Sequence, residues 1–201
     1  MEFVKQFATF LHQKGIIKFG DFTLASGKKS SYYVDLRLVP SYPHEFRMMV
    51  KHLQNQIAEK IGLDGFDSIV SVPTGGLIIA SALAIETVKP LIYVRGKPKN
   101  YGTSKLVEGQ FHKGMKVLMI DDVATTGGSV LNAIKLLKDE KIEITDAFVI
   151  VNRMEGADKA LNEEGVKMHS LLNVLDITQA LFDQKLVSQE TLEKVKRQIG
   201  S

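Results

Sequence analysis

The sequence predicts an α/β fold with a central, mostly parallel sheet flanked by helices. Short apolar runs alternate with segments of helical periodicity over most of the chain. The apolar runs are continuous, as in strands whose two faces are both covered by helices. At 201 residues the chain is long enough for one sizeable core. We expect one structural domain, in which residues 1–40 form an N-terminal helix and a small β-containing cap (the hood) and residues 41–201 form the core and C-terminal helices.

The apolar patterns predict the elements in chain order. Phe3, Phe7 and Phe10 recur at helical spacing, which indicates a first helix over 2–14 and not a signal peptide. A β-rich segment follows over 16–38, and then a helix over 43–61. Further strands are predicted over 66–72, 91–94, 116–121, 147–151 and 168–174, and further helices over 75–88, 127–138, 158–164, 176–184 and 188–199.

Composition limits the classes of partner and compartment. The net charge of +3 is too small to indicate a general binder of nucleic acid, and no apolar run reaches membrane-spanning length. The chain has no cysteine, which excludes disulfides, thiolate metal sites and a cysteine nucleophile. We therefore expect a cytoplasmic protein that acts on small molecules.

The stretch from Val117 to Val130, VLMIDDVATTGGSV, is the most informative part of the sequence. An apolar strand ends in two acids, Asp121 and Asp122, and a loop of small and hydroxyl residues then opens a helix. Carboxylates accept hydrogen bonds from sugar hydroxyls, and the free N–H groups at a helix N-terminus bind phosphate. The pattern therefore predicts a site for a sugar phosphate.

Other loops leave the same predicted edge of the sheet, where ligands bind in folds of this class. Thr74-Gly75-Gly76 begins a helix and is either a plain turn or a second anion site. The segment from Arg95 to Lys116 holds six Lys and Arg and one acid, so it is either a solvated loop or an anion-binding loop. Arg153 also follows a strand.

Several other chemistries fit the sequence less well. The nearest approach to a P-loop, Gly109 to Gly114, has Met115 in place of the required lysine and precedes a strand. The five histidines lack metal-ligand spacing. Adjacent strand residues point to opposite faces, which disfavours Asp121 and Asp122 as a joint metal site. The polar segment from Ser26 to Tyr33 is either a turn with core tyrosines or a lid over a flat ligand.

These residues resemble the phosphoribosyltransferase family. VLMIDDVATTGGSV is similar to the family's signature for phosphoribosyl pyrophosphate (PRPP). Three further segments resemble the orotate-specific branch: the stretch from Phe22 to Tyr33, the stretch from Tyr93 to Gly102, and Leu106-Val107-Glu108-Gly109. The resemblance implies the type I phosphoribosyltransferase fold. It also implies transfer of the phosphoribosyl group from PRPP to orotate, giving orotidine 5′-monophosphate and pyrophosphate in pyrimidine biosynthesis.

The resemblance also implies roles for individual residues. Asp121 and Asp122 hold the ribose hydroxyls, and Arg95, Lys97 and Lys99 contact pyrophosphate and act in catalysis. The implied PRPP site comprises Thr74, Gly75, Arg95, Lys99, Tyr101, Asp121, Asp122, Val123, Ala124, Thr125, Thr126, Gly127, Gly128 and Ser129. The implied orotate site comprises Ser26, Lys28, Tyr33, Thr125 and Arg153.

Magnesium and a second subunit are the other implied components. Mg²⁺ is held mainly by PRPP and water, with no dedicated protein ligands, and the loop over 95–109 is shared across a homodimer interface. The chain departs from many bacterial relatives at Ala25, Gly96 and Tyr101, where those carry lysine or histidine, and from some at Gly75, where those carry lysine. The chain therefore has fewer cations around pyrophosphate than those relatives, and Lys28 and Lys97 are the candidates to replace the missing charge.

Three alternatives remain open at this point. One is a phosphoribosyltransferase for a purine base, which Arg153 and the segment from Ser26 to Tyr33 disfavour. The second is a regulator that binds PRPP without turnover, which the cations over 95–99 disfavour. The third is a generic α/β domain.

Overall fold

The computed structural model describes residues 2–23, 27–96 and 106–200. A six-stranded sheet of order β5-β4-β3-β6-β7-β8 forms its centre, and a separate two-stranded sheet, β1-β2, forms the hood. All neighbours in the central sheet are parallel except β5, which pairs antiparallel with β4. The predicted α/β fold is confirmed. The strands are β1 (Ile17–Thr23), β2 (Lys29–Val34), β3 (Ser68–Ser71), β4 (Leu91–Val94), β5 (Val107–Glu108), β6 (Lys116–Ala124), β7 (Glu143–Asn152) and β8 (Lys167–Asn173).

Helices cover both faces of the central sheet. They are α1 (Glu2–Gln13), α2 (Pro43–Lys60), α3 (Gly75–Thr87), α4 (Gly128–Asp139), α5 (Ala157–Glu163), α6 (Val174–Asp183) and α7 (Gln189–Ile199), together with a 3-10 helix over Leu36–Ser41. Within the described ranges, none of these helices has the length and apolar character needed to cross a membrane.

Strand β6 shows why the sheet is buried on both sides. Leu118 and Ile120 pack into one core cluster, while Val117 and Met119 pack into the cluster on the other face. This division follows the alternation of side chains along a strand. A continuous apolar run is therefore required, and it ends only where the strand reaches the functional edge at Asp121.

The hood and the N-terminal helix are packed onto the core. Phe7 and Leu11 of α1 lie in the same buried cluster as Leu118 and Phe148 of the central sheet. Tyr32 of β2 is fully buried against Val174 and Val195 of the C-terminal helices. Residues before and after position 40 therefore share buried contacts, and the division at 40/41 stays a prediction.

The structure differs from the predicted elements mainly at their ends. Strand β6 continues past the two acids to Ala124, because Val123 and Ala124 still pair with residues of β7. Backbone pairing needs no apolar side chain, so the acids end the apolar run but not the strand. The end of the predicted β-rich segment is a 3-10 helix, and the Asp35 side chain caps it by accepting from the amide of Arg37. Strand β5 has two residues, too few for any periodicity to predict it.

Candidate active site

The acid pair lies at the carboxyl edge of the sheet against the first turn of α3. Asp121 is 5% exposed, and its Oδ1 accepts a hydrogen bond of 2.9 Å from the backbone N–H of Asp122. A methyl group added to Gly76 would lie 2.5 Å from Asp121 Oδ1, and one added to Gly75 would overlap the Asp122 carboxylate. Both carboxylates therefore point toward one helix N-terminus, so the expectation that they lie on opposite faces was wrong. The cause is local, since the Asp121 carboxylate turns back to accept from the amide of its neighbour Asp122.

Burial sets the electrostatics of the pair. Burial, and secondly the neighbouring Asp122 carboxylate, raise the pKa of Asp121 well above its usual value. Two adjacent carboxylates in a partly dry site disfavour each other's charge, and ligand hydroxyls or a cation can relieve this cost. The pair is thus suited to hold hydrogen-bond donors or a cation.

The loop after β6 forms a cradle next to the acid pair. Ala124 is the last residue of β6, and Thr125 and Thr126 lead to Gly127 at φ 80°. This left-handed conformation suits glycine, and a methyl group there would also lie 2.7 Å from Leu161. Helix α4 then begins at Gly128 with no side-chain cap, and Gly128 and Ser129 are exposed. Its first N–H groups are therefore donors for an anion.

The loop after β3 lies beside this cradle, because β3 and β6 are paired neighbours. The Pro73–Thr74 peptide bond is cis, Thr74 is exposed, and α3 begins at Gly75. Ser71 Oγ donates a hydrogen bond of 2.7 Å to the carbonyl of Ile120, which ties the two strand ends together. The structure thus brings Thr74 and Gly75 to the acid pair, as the sequence predicts.

Arg153 lies directly after β7, where its backbone N–H donates to the carbonyl of Ala124. Its guanidinium is buried and stacks over the ring of Tyr32 at 4.5 Å. Nη2 donates to Ser30 Oγ at 2.9 Å, and Nε donates to Tyr32 Oη at 3.2 Å. The hood strand β2 therefore reaches the same edge of the sheet as the acid pair.

The two adjacent tyrosines of β2 have different environments. Tyr32 is buried, and burial is the main cause that raises the pKa of its hydroxyl. Tyr33 is half-buried, and its hydroxyl accepts a hydrogen bond of 3.4 Å from Arg37 Nη2. The interpretation as core tyrosines therefore holds for Tyr32, and a contact of Tyr33 with a flat ligand stays a prediction.

Arg37 is a residue near the site that the sequence did not single out. It forms an ion pair of 2.6 Å with Asp35, which raises the pKa of the Arg37 guanidinium, and Asp122 makes a smaller contribution of the same sign. The ion pair of Arg37 and Asp35 in the hood therefore lies within electrostatic range of Asp122. No motif marks this proximity, because it depends on how the hood folds over the sheet.

The basic segment is described only in part. Arg95 follows β4, and its Nη1 lies 3.4 Å from Glu108 Oε1 of β5. Lys97, Lys99 and Tyr101 lie outside the described residues, as do Ser26 and Ala25 of the hood. Their roles stay predictions from the sequence. Lys28 is described, and its ammonium pairs with Glu155 at 2.7 Å.

Comparisons with known proteins agree with this geometry. Residues 43–167 match the model of the phosphoribosyl transferase domain family. An orotate phosphoribosyltransferase of Cenarchaeum symbiosum is 48% identical over 196 residues, which cover 98% of each chain. The orotate phosphoribosyltransferase structure from Aeropyrum pernix has a TM-score of 0.77 and 34% identity, covering 90% of this chain and 99% of that one. The Leishmania donovani UMP synthase structure has a TM-score of 0.84 and 29% identity, covering 98% of this chain and 42% of that one.

Proposed function

The chain belongs to the phosphoribosyltransferase family, within its orotate-specific branch, and from that premise we propose how its own residues perform the reaction. The enzyme transfers the 5-phosphoribosyl group from PRPP to orotate, giving orotidine 5′-monophosphate and pyrophosphate. One observation carries the assignment of the sugar-phosphate site: only residues 123–127 separate the acid pair from the N-terminus of α4 at one sheet edge.

The proposed PRPP site uses complementary groups on either side of the ribose. Asp121 and Asp122 accept hydrogen bonds from the two ribose hydroxyls, since carboxylates are acceptors only. The N–H groups of the cradle over 125–129 bind the 5′-phosphate at the positive end of the α4 dipole. Thr74 and Gly75 line the side on which pyrophosphate leaves.

The donor set fits Mg²⁺ only if the substrate supplies most ligands. Two carboxylate oxygens suit this hard cation, yet the described parts of the chain contain no cluster of three or more acidic, His or Cys side chains able to hold a metal. A pyrophosphate group near Gly75 and Gly76 would also face both carboxylates, and Asp121 and Asp122 would be the residues next to a bound cation. Mg²⁺ would supply neutralisation of the negative charge there.

The proposed base site lies between the hood and the loop after β7. Arg153 and Lys28 supply positive charge for the carboxylate of orotate, and Tyr33 supplies a ring beside the flat base. Thr125 lies next to Ala124, whose carbonyl accepts from Arg153 N at 2.9 Å. Ser26, outside the described residues, is proposed from the sequence to complete this side.

The proposed reaction is a displacement at ribose C1 without a covalent enzyme intermediate. A ring nitrogen of orotate bonds to C1 as the bond from C1 to the pyrophosphate oxygen breaks, and pyrophosphate takes the bonding electron pair. Catalysis then depends on placing the reactants and stabilising charge on the leaving group. Arg95, Lys97 and Lys99 are proposed to supply that stabilisation.

We propose a homodimer in which the loop over 95–109 reaches the partner's site. The supporting observation is the predominantly apolar helix α3, of which only one side faces the core. Ile85 is 80% exposed and Val88 is 89% exposed, which is unusual for large apolar side chains on a lone subunit. Sedimentation of the wild type and of Ile85→Lys tests this, and a wild-type monomer would contradict it.

A cytoplasmic location is proposed because both substrates are charged molecules that do not cross membranes unaided.

Base specificity is tested by incubating the enzyme with PRPP, Mg²⁺ and a panel of bases. The absorbance of orotate is expected to fall, whereas the absorbance of adenine, guanine, xanthine and uracil is expected to stay unchanged. Turnover of a purine in place of orotate would refute the assignment of the base site. Binding of PRPP without turnover of any base would support a regulator instead.

A further inference from the structure

Glu155 is a buried carboxylate at the junction between the hood and the core, two residues beyond Arg153. Its side chain is 2% exposed. Oε2 accepts from Lys28 Nζ at 2.7 Å, and Oε1 lies 3.1 Å from Arg153 Nη2 and 3.2 Å from Arg153 Nε. One carboxylate therefore holds both cations that we assign to the base site, one on each oxygen.

The cluster is saturated with hydrogen bonds, as a buried charge requires. The hydroxyl of Tyr32 lies 3.2 Å from Glu155 Oε1. Burial opposes ionisation of Glu155, but the hydrogen bond from Lys28 and the charge of Arg153 outweigh it and hold the pKa of the carboxyl below its usual value. Glu155 is thus a charged group in the folded protein at neutral pH.

Gln198, in the last turn of α7, links this cluster to the hood. Its Nε2 donates to Glu155 Oε1 at 3.0 Å. Its Oε1 accepts from Ser31 N at 2.7 Å and from Ser31 Oγ at 2.9 Å. The C-terminal helix therefore fixes both the strand that carries Tyr33 and the carboxylate that holds Arg153.

The contacts also fix which part of the Arg153 guanidinium is left for a ligand. Within residues 2–23, 27–96 and 106–200, its partners Glu155, Ser30 and Tyr32 lie on Nε and Nη2. A planar guanidinium held along that edge cannot rotate, so Nη1 is presented in one direction. A carboxylate ligand can then bind without reordering the side chain, which lowers the entropic cost of binding.

We propose that Glu155 is a positioning residue for the base: it orients Arg153 and Lys28 so that the carboxylate of orotate meets two preplaced cations. The proposal rests on the proposed function, which assigns these two cations to orotate. It predicts that loss of the Glu155 charge impairs recognition of the base carboxylate while PRPP recognition is preserved.

The test uses Glu155→Gln, which keeps the shape of the side chain and removes its charge. We expect KM for orotate to rise about tenfold or more, because small misplacements of binding groups have large effects, and KM for PRPP to stay within about twofold. The preference for orotate over uracil, which lacks the carboxylate, is expected to fall by a similar factor. Glu164→Gln, which removes an exposed carboxylate paired with Lys138 at 3.0 Å, is the matched control and should change neither constant.

Two further variants separate the possible failures. If Arg153→Met raises KM for orotate but Glu155→Gln does not, the positioning role is refuted and the base site stands. If neither Arg153→Met nor Glu155→Gln changes KM for orotate, the base site itself is refuted, and the positioning role of Glu155 is refuted with it. Equal rises in both KM values for Glu155→Gln would indicate a merely structural role and refute the proposal. Should Glu155→Gln not fold, Gln198→Ala is expected to raise KM for orotate about threefold, and an unchanged value would refute the proposal.

Discussion

Replacement of Gly76 by alanine tests the close approach between α3 and the acid pair. The added methyl group would lie 2.5 Å from Asp121 Oδ1, 2.8 Å from Ser71 Oγ and 2.9 Å from Asp121 Cα. The Asp121 backbone is held in the middle of the sheet by pairing with Val149 of β7. It therefore cannot move away without disturbing the strand, and the carboxylate must leave its observed position.

Overpacking of this kind costs about 1–3 kcal/mol. If the strain displaces the carboxylate that binds the ribose, the same energy corresponds to a loss of about 5- to 150-fold in PRPP affinity. Gly128→Ala is the matched control, because its nearest neighbour would be Thr126 Oγ1 at 4.0 Å and its backbone needs no positive φ. It also lies in the phosphate cradle, so it controls for a methyl group near the ligand.

Calorimetric titration of each variant with PRPP and Mg²⁺ gives the dissociation constants, and thermal unfolding without ligand reports the strain. We expect Gly76→Ala to bind PRPP far more weakly than Gly128→Ala, with a lower Tm. A Gly76→Ala variant that binds PRPP as tightly as the wild type would show that the Asp121 carboxylate does not contact the sugar as proposed.

Three other predictions concern the same site. Asp121→Asn and Asp122→Asn are each expected to weaken PRPP binding about 10- to 150-fold, as for lost hydrogen bonds to a charged group; tight binding by both would refute the ribose contact. Asp121→Asn should also raise Tm of the free enzyme at neutral pH. The folded-state pKa of Asp121 lies above its unfolded value, so this advantage should shrink as the pH falls through the folded pKa and vanish below the unfolded pKa; a pH-independent difference would contradict it. Lys99→Ala should lower kcat about 100-fold with an unchanged Tm, whereas an unaltered kcat would exclude Lys99 from catalysis.

The sequence is most informative where function is encoded locally. The apolar run of β6, its two acids and Gly127 are contiguous, so the strand, the acid pair and the cradle could all be predicted from one stretch. Thr74 and Gly75 follow a similar strand, and parallel pairing brings the two loops together. The rule of alternating faces failed for the acid pair because Asp121 Oδ1 accepts a hydrogen bond from the amide of Asp122.

Contacts between distant segments could not be predicted in this way. Gln198 meets Ser31 across 167 residues of sequence and meets Glu155 across 43. Neither glutamine nor glutamate carries a signal for such a partner, because the contact depends on where α7 packs against the hood. The burial of Arg153 under Tyr32 has the same origin. Long-range packing, and not residue type, therefore decides the architecture of the base site.

The structure of the enzyme with PRPP and Mg²⁺ bound tests the central claim most directly. The account predicts that the ribose hydroxyls lie within hydrogen-bond distance of Asp121 and Asp122, with the 5′-phosphate on the amides of residues 125–129. A sugar phosphate bound at any other part of the sheet edge, with these groups left to solvent, would contradict it.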